Sequence, residues 1–152
     1  QQSERIQDGN RLALLPVGVE EDPLAEHRPA EVDCPPAAWG PEGGGFEVQT
    51  GVCNYGAFDQ PLPRSLEPGE ALAITVWHDF LDAAEPATGH VAIWLDDRVV
   101  WEVEVSIPAV SASLETVIPI DDRVGVDGRL GFHVRNHGFN SWRLLTVDLL
   151  PR

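Results

Sequence analysis

The amino-acid sequence predicts an all-β fold, an antiparallel β-sandwich or jelly roll that carries an irregular N-terminal arm. Seven short segments alternate apolar and polar residues, and turn-forming residues separate them roughly every 8–12 positions. No segment shows a convincing helical periodicity. The chain has 152 residues, enough for one domain with a core of its own. We therefore expect a sandwich domain over residues 34–152, preceded by an arm or linker over residues 1–33.

Residues 1–33 are polar, acidic and weakly patterned, in contrast to the strand-like segments after them. Their one apolar cluster spans Leu12–Val17, and Pro16 restricts it to a short edge strand or a packed arm. We expect this segment to pack across the surface of the domain or to lead away from a membrane anchor. The sequence starts at Gln1 without a signal peptide, which we interpret as a mature form processed from a precursor.

The first three predicted strands, 46–52, 71–80 and 90–95, each place apolar side chains on one face. A proline-rich loop over residues 60–69 separates the first strand from the second, because proline cannot donate to a ladder of hydrogen bonds. The side chains expected to face the core are Phe46, Val48, Val52, Leu72, Ile74, Val76, Val91, Ile93 and Leu95.

The remaining four predicted strands are 99–107, 114–120, 130–136 and 142–149, and the last two are joined by a turn at 137–140. The segment 99–107 has the cleanest alternation, with Glu102 and Glu104 on one face. The opposite face, expected to point inward, consists of Val99, Trp101, Val103, Val105 and Ile107.

The two cysteines, Cys34 and Cys53, each lie beside turn-forming residues and flank a Pro/Gly-rich stretch and one short strand. We expect a disulfide that ties the arm to a strand, which stabilises the fold by roughly 3 kcal/mol in the chain-entropy model. A buried pair of free thiols and a pair of metal thiolates are the alternatives. A disulfide predicts an oxidising compartment, so we expect a secreted, periplasmic or cell-surface protein.

The excess of acidic over basic residues limits the kinds of partner that the protein can bind. The chain has 25 acidic and 10 basic residues, all of the basic ones arginine, and a net charge of −15. Such acidity argues against nucleic acid, which requires a basic surface. No apolar run is long enough to insert into a membrane. Cations and neutral ligands such as glycans remain compatible with this composition.

The leading functional hypothesis rests on the histidines. If consecutive strands run antiparallel, four of the five histidines fall at one end of the sandwich. Three converging imidazoles can bind zinc, and nitrogen-rich sites also suit copper. We therefore predict a secreted metal-binding protein whose ligands are His78, His90, His133 and His137. The alternative is that each histidine is an ordinary surface or hydrogen-bonded residue.

A second candidate site contains carboxylates. The segment Leu95–Val100 is echoed by Ile120–Gly125, and each carries an Asp-Asp-Arg-Val turn. Calcium prefers clustered carboxylates and carbonyls, although Asp-Asp also simply favours turns. The predicted calcium ligands are Asp96, Asp97, Asp121, Asp122 and Asp127.

The five tryptophans suggest a different function, because indole rings stack on sugars. Trp77 is out of phase with the core-facing residues of its strand, so we expect it to be exposed; Arg135 and Asn136 are the other candidate contacts. This alternative is a non-catalytic carbohydrate or cell-surface binding module. A further alternative is a structural subunit of a homo-oligomer or extracellular assembly. The sequence lacks a nucleophile motif and a phosphate loop, so catalysis is not expected, except as metal-dependent chemistry at the histidines.

Three segments carry a resemblance: Phe132–Trp142, Val76–His78 and Gly89–Trp94. Together they resemble a group of uncharacterised secreted proteins and lipoproteins of high-GC bacteria, over roughly residues 27–150. The resemblance implies export and no particular activity. The architecture expected from the strand count is also similar to that of jelly-roll carbohydrate-binding modules.

Overall fold

The computed structural model describes residues 4–8, 12–42 and 44–152. Within these ranges the chain forms eleven β-strands and three single turns of 3-10 helix, at Val19–Glu21, Ala25–His27 and Pro36–Ala38. The strands are β1 Glu4–Asp8, β2 Leu15–Pro16, β3 Trp39–Glu42, β4 Gly45–Gln49, β5 Gly56–Pro61, β6 Ala71–His78, β7 Ala87–Leu95, β8 Arg98–Ile107, β9 Ala112–Pro119, β10 Arg129–Arg135 and β11 Ser141–Leu150.

Two antiparallel sheets pack face to face, which confirms the predicted sandwich. Sheet A has the strand order β3-β4-β11-β6-β9, and β1 pairs with β11 beside this path. Sheet B has the order β2-β5-β10-β7-β8. All seven predicted strands are present, with bounds close to those expected. The sequence does not predict β1, β3 and β5, and it offers β2 only as one interpretation of the segment around Pro16.

The alternation of apolar and polar residues along the strands places the core between the two sheets. The strands of sheet A contribute Phe46, Ile74 and Leu144, and those of sheet B contribute Ile93 and Phe132, all at most 1% exposed. Burying a side chain of this size stabilises the fold by about 1.5–3 kcal/mol relative to leaving it in water. The core therefore follows the predicted parity.

Two residues expected to face the core do not. Val52 is 55% exposed, because β4 ends at Gln49 and Val52 lies in the turn after it. Val99 packs in a second cluster on the outer side of sheet B.

A register shift in β8 explains the position of Val99. Ile93 pairs with Trp101, but the next residue, Trp94, pairs with Val99, so Val100 is an extra residue in β8. Such a bulge makes the side chains beyond it point to the opposite face of the sheet. Trp101, on the other side of the bulge, packs against the main core as predicted.

The N-terminal segment joins the sandwich at two points. Leu12 and Leu14 are 1% exposed in the main core, and β2 pairs with β5. Residues 18–33, which we call the strap, then run across the outer face of sheet B. The boundary predicted at residue 34 stays a prediction, and part of the predicted arm, residues 1–3 and 9–11, lies outside the described residues.

The disulfide between Cys34 and Cys53 is present, as predicted. It closes the far end of the strap, where Asn54 also donates its backbone N–H to the carbonyl of Asp33 at 3.1 Å. At the near end, the backbone N–H of Val17 donates to the carbonyl of Ala57 at 3.0 Å. The strap is thus held at both ends. No helix in the described ranges has the length and apolar character needed to cross a bilayer.

Candidate functional site

The four histidines predicted as a metal site do not all come together, because His78 lies in a different layer from His90 and His133. His78 ends β6 in sheet A and points inward; its ring packs on Trp142 with centroids 5.0 Å apart. Its Nδ1 lies 2.9 Å from the carbonyl oxygen of Asp79. His90 and His133 instead lie on the outer face of sheet B. About 10 Å of core separates two packed sheets, so a shared end does not bring these side chains together.

A different group of three histidines forms on sheet B. His27, from the strap, stacks on His90 with centroids 4.6 Å apart and an interplanar angle of 10°. His133 lies edge-on to both rings, at 4.9 Å from His90 and 5.6 Å from His27. Nδ1 of His90 is 2.8 Å from Nε2 of His133, and Nε2 of His90 is 3.0 Å from Glu102. We call His27, His90 and His133 the histidine cluster.

These contacts use ring nitrogens that a metal would require. Burial, together with the neighbouring His90 and His27, lowers the pKa of His133 to about 2. The fourth predicted ligand, His137, is exposed, and its ring lies 3.0 Å from the Arg135 guanidinium. Among the residues that the structure describes, no three His, Cys, Asp or Glu side chains are arranged to hold a metal ion. We therefore do not assign these histidines as metal ligands.

The two Asp-Asp turns lie close together, but some of their carboxylates have other contacts. Asp122 is 4.0 Å from Arg98, the residue that comes directly after the first Asp-Asp pair. Asp96 accepts the backbone N–H of Arg129 at 3.1 Å. Within the described ranges, no carboxylate group that includes Asp97, Asp121 or Asp127 is arranged to hold calcium. Calcium binding by the chain stays a prediction without an assembled site.

An acidic cleft of about 880 Å³ opens between the strap and the β7–β8 turn. Pro16 and Val17 line it, and carboxylates surround it together with one arginine, Arg129. That arginine is paired with Asp59, and their contact is 2.5 Å long. None of the described residues that line the cleft is aromatic, so it offers no stacking surface for a sugar.

Arg135 and Asn136 do not join Trp77. Arg135 lies on sheet B beside the histidine cluster. Asn136 is 2% exposed and holds a loop, because it donates to Thr50 Oγ1 at 3.0 Å and accepts the N–H of Gly138 at 2.9 Å. The three predicted contacts therefore do not form one surface.

Trp77 instead belongs to a hydrogen-bonded row on the outer face of sheet A. Its outward direction follows from parity, since Val76 and His78 are buried. Its indole Nε1 donates to Asp79 at 2.9 Å. Arg143, directly opposite Trp77 on β11, lies 3.5 Å from the same Asp79 oxygen.

The row continues onto β4, which pairs with the other side of β11. Arg143 Nη2 donates to Glu47 at 2.9 Å, and the second oxygen of Glu47 accepts from Gln49 at 3.1 Å. The Glu47 side chain is only 7% exposed, whereas Arg143 is 24% and Asp79 39% exposed. We call Trp77, Asp79, Arg143, Glu47 and Gln49 the tryptophan face.

A small recess adjoins this surface. A pocket of about 80 Å³ lies beside Glu47 and Gln49, with Trp39 and Pro41 on its other side. The Nε of Arg143 and the indole N–H of Trp39 are buried, and no described residue accepts a hydrogen bond from either. Unpaired buried donors are costly, so each is a position where a water or a ligand hydroxyl would add stability.

The tryptophan face remains open along sheet A. Val117 is 57% exposed, and Ser113 and Glu115 on the same strand are exposed. The sequence contains a signal for part of this surface, because Glu47 alternates with the buried Phe46 and Val48. The strand order that places β11 between β4 and β6 is not predictable from that pattern.

Solved carbohydrate-binding modules align with this chain. A carbohydrate-binding module described as CBM4 aligns with a TM-score of 0.51 at 14% identity, over 97% of this chain and 99% of its own. The module "Family 16 Carbohydrate Binding Module-2" gives a TM-score of 0.45 at 14% identity, over 78% and 84% of the two chains. A TmCBM61 module in complex with β-1,4-galactotriose gives 0.44 at 9% identity, over 80% and 81%.

No protein-family model and no curated protein sequence matches the chain. The similarity to solved structures confirms the expected architecture, a jelly-roll sandwich like that of carbohydrate-binding modules. The resemblance to exported proteins of high-GC bacteria stays a prediction.

Proposed function

We propose that this protein is a non-catalytic carbohydrate-binding module that recognises a neutral glycan through the tryptophan face. One observation carries the proposal: the half-buried indole of Trp77 lies on an open sheet, fixed by Asp79 and aligned with Arg143. The fold shared with a CBM4 module supports it. This function replaces metal binding as the leading one, since the histidines do not form the predicted set.

The chemistry of the tryptophan face suits a sugar. A pyranose ring presents C–H groups on one side and hydroxyls at its rim, so it binds an aromatic surface flanked by hydrogen-bonding groups. Trp77 supplies the aromatic surface, and the partly exposed Asp79 and Arg143 supply an acceptor and donors. Their mutual contacts fix these side chains before a ligand arrives, which reduces the entropy lost on binding.

The charge of the tryptophan face favours neutral sugars. Arg143 is the one cation of the row and contacts two carboxylates, Glu47 and Asp79. Glu115, on the same sheet, adds a further negative charge near Trp77. An anionic sugar would therefore meet net repulsion.

We further propose that the module acts outside the cytoplasm. The disulfide between Cys34 and Cys53 supports this, because such bonds persist in oxidising compartments. A role in a homo-oligomer or extracellular assembly, and binding of copper, zinc or calcium, stay separate predictions.

Calorimetric titration tests the function. The wild-type protein is titrated with neutral xylo-, gluco- and galacto-oligosaccharides and with uronic-acid oligosaccharides of equal length. We expect binding of at least one neutral series and a loss of about tenfold or more for Trp77→Ala, since a central aromatic contact contributes about 2 kcal/mol. Phe139→Ala removes another exposed aromatic, 60% exposed, and serves as the matched control.

The substitution Asp79→Asn tests the role of this carboxylate in glycan recognition while leaving the fold intact. The amide oxygen can still accept from Trp77, while the charge beside Arg143 is lost. We expect an intact fold by circular dichroism and weaker glycan binding. Equal affinity of wild type and Trp77→Ala for every bound glycan would exclude this face as the site.

A further inference from the structure

The strap covers an aromatic surface of sheet B. Leu24 is 3% exposed and packs with Tyr55 and Trp94 on that face. The hydroxyl of Tyr55 donates to Asp22 at 2.5 Å and approaches the carbonyl of Leu24 at 3.1 Å. Arg28 donates to Asp22 at 2.9 Å and lies over the Tyr55 ring. Both ends of this cover are fixed, whereas its middle is held by side-chain contacts and short turns.

The histidine cluster holds the middle of the strap, and its geometry accommodates one proton but not two. In the contact between His90 and His133 one nitrogen must donate and the other accept. A proton on His90 is compatible with this, because its other nitrogen faces Glu102. A second proton on His133 would place two donors against each other, and one on His27 would stack two cations 4.6 Å apart.

The carboxylates around the cluster are exposed to solvent, so they offset a second proton only in part. On the strap, Glu26 is 4.0 Å from His27 but its side chain is 83% exposed, and Arg28 adds a positive charge. On β10 and the loop after it, Arg135 and His137 line the small pocket beside His27. The charged residues that face the cluster from β8 are Glu102, 54% exposed, and Glu104, which lines the same pocket. Tyr55 packs edge-on to His133 and bonds the Asp22 carboxylate, so that carboxylate is engaged already.

We propose that the strap is a pH-sensitive cover: on mild acidification a second proton on the cluster repels His27, and the strap lifts from sheet B. Lifting exposes Trp94 and Tyr55, which are 0% and 2% exposed when the strap is closed. The low pKa of His133 supports the proposal, because its neutral form is the one that the closed structure accommodates.

Hydrogen exchange measured by mass spectrometry between pH 7.5 and pH 5 tests the cover. The reporters are strap amides that are hydrogen-bonded when closed, including those of Leu24 and His27. After correction for the intrinsic exchange rate, we expect their opening to rise by up to about tenfold for each pH unit of acidification, as one additional proton requires. Amides of β6 and β11, which exchange through global unfolding, should remain much better protected than the strap at both pH values.

His27→Phe retains a stacking ring that cannot gain a proton, so its strap protection should not change with pH. His137→Gln is the matched control: it removes an exposed histidine outside the cluster and should retain the pH response. Strap protection that is the same at both pH values in the wild type would overturn the proposal. A His27→Phe variant whose strap loses protection on acidification as steeply as that of wild type would overturn it too. The experiment uses no glycan, so its outcome is independent of the function proposed for the tryptophan face.

Discussion

Acidification from pH 7 to pH 5 should lower the free energy of unfolding by about 2 kcal/mol through His133. Its pKa is about 2 in the folded protein and about 6.5 in an unfolded chain. At pH values between these two pKa values the unfolded state binds one more proton, so stability falls as pH decreases, by about 1.4 kcal/mol per unit. The full contribution is present above about pH 6.5. The side chain is 0% exposed, so solvent screening does not reduce the effect.

Guanidinium titrations of wild type and His133→Gln at both pH values measure this contribution. The glutamine oxygen can accept from His90, but the side chain does not titrate. We expect the loss of stability between pH 7 and pH 5 to be smaller in the variant by about 2 kcal/mol, with unchanged m-values. His137→Gln, altered at an exposed position, should lose as much as wild type. An equal loss in His133→Gln would show that His133 is not buried in its neutral form.

Packing and covalent structure give three further predictions. Reduction of the Cys34–Cys53 bond should lower stability by about 3 kcal/mol, measured as a shift in the denaturation midpoint; no shift would show that the bond constrains little. Gly131→Ala should destabilise by about 3 kcal/mol or more in thermal unfolding, because a Cβ there would lie 1.8 Å from the Trp94 ring; wild-type stability would mean that the ring is placed differently. Leu24→Ala should weaken strap closure by about 2–5 kcal/mol and admit proteases between residues 18 and 33, and unchanged resistance would contradict the described packing.

The alternation of apolar residues is sufficient to predict the main strands and most of their inward faces. The alternation fails at β5. Phe58 lies between Ala57 and Asp59, which do not form a clear alternation of apolar and polar residues, and Pro61 has the character of a loop residue. β3 contains Gly40 and Pro41, residues that are depleted in strands. In both strands the pairing partner, rather than the local sequence, determines the conformation.

The histidine prediction shows the limit of counting strand directions. The count assigns an end of the sandwich to each histidine, but it does not assign a layer. The sheet to which each strand belongs depends on pairing between distant segments, and His78 lies in a different sheet from His90 and His133. His27 joins the cluster through the strap, a contact for which the local sequence contains no signal.

The candidate glycan site is predictable in part. The parity of Trp77 indicates an outward side chain, and the structure confirms that direction. Its partners Arg143 and Glu47 come from strands 66 and 30 residues away in the sequence, and only the order of strands brings the three into one row.

The position of β11 has a consequence for how the protein is made. This strand lies at the centre of sheet A, yet it comes after β1, β4 and β6, its three partners, in the sequence. During synthesis the earlier strands must wait with unpaired edges until residues 141–150 leave the ribosome. Such distant pairings fold slowly and expose aggregation-prone intermediates. Expression yield should therefore depend on chaperones and growth temperature more strongly than equilibrium stability alone would suggest.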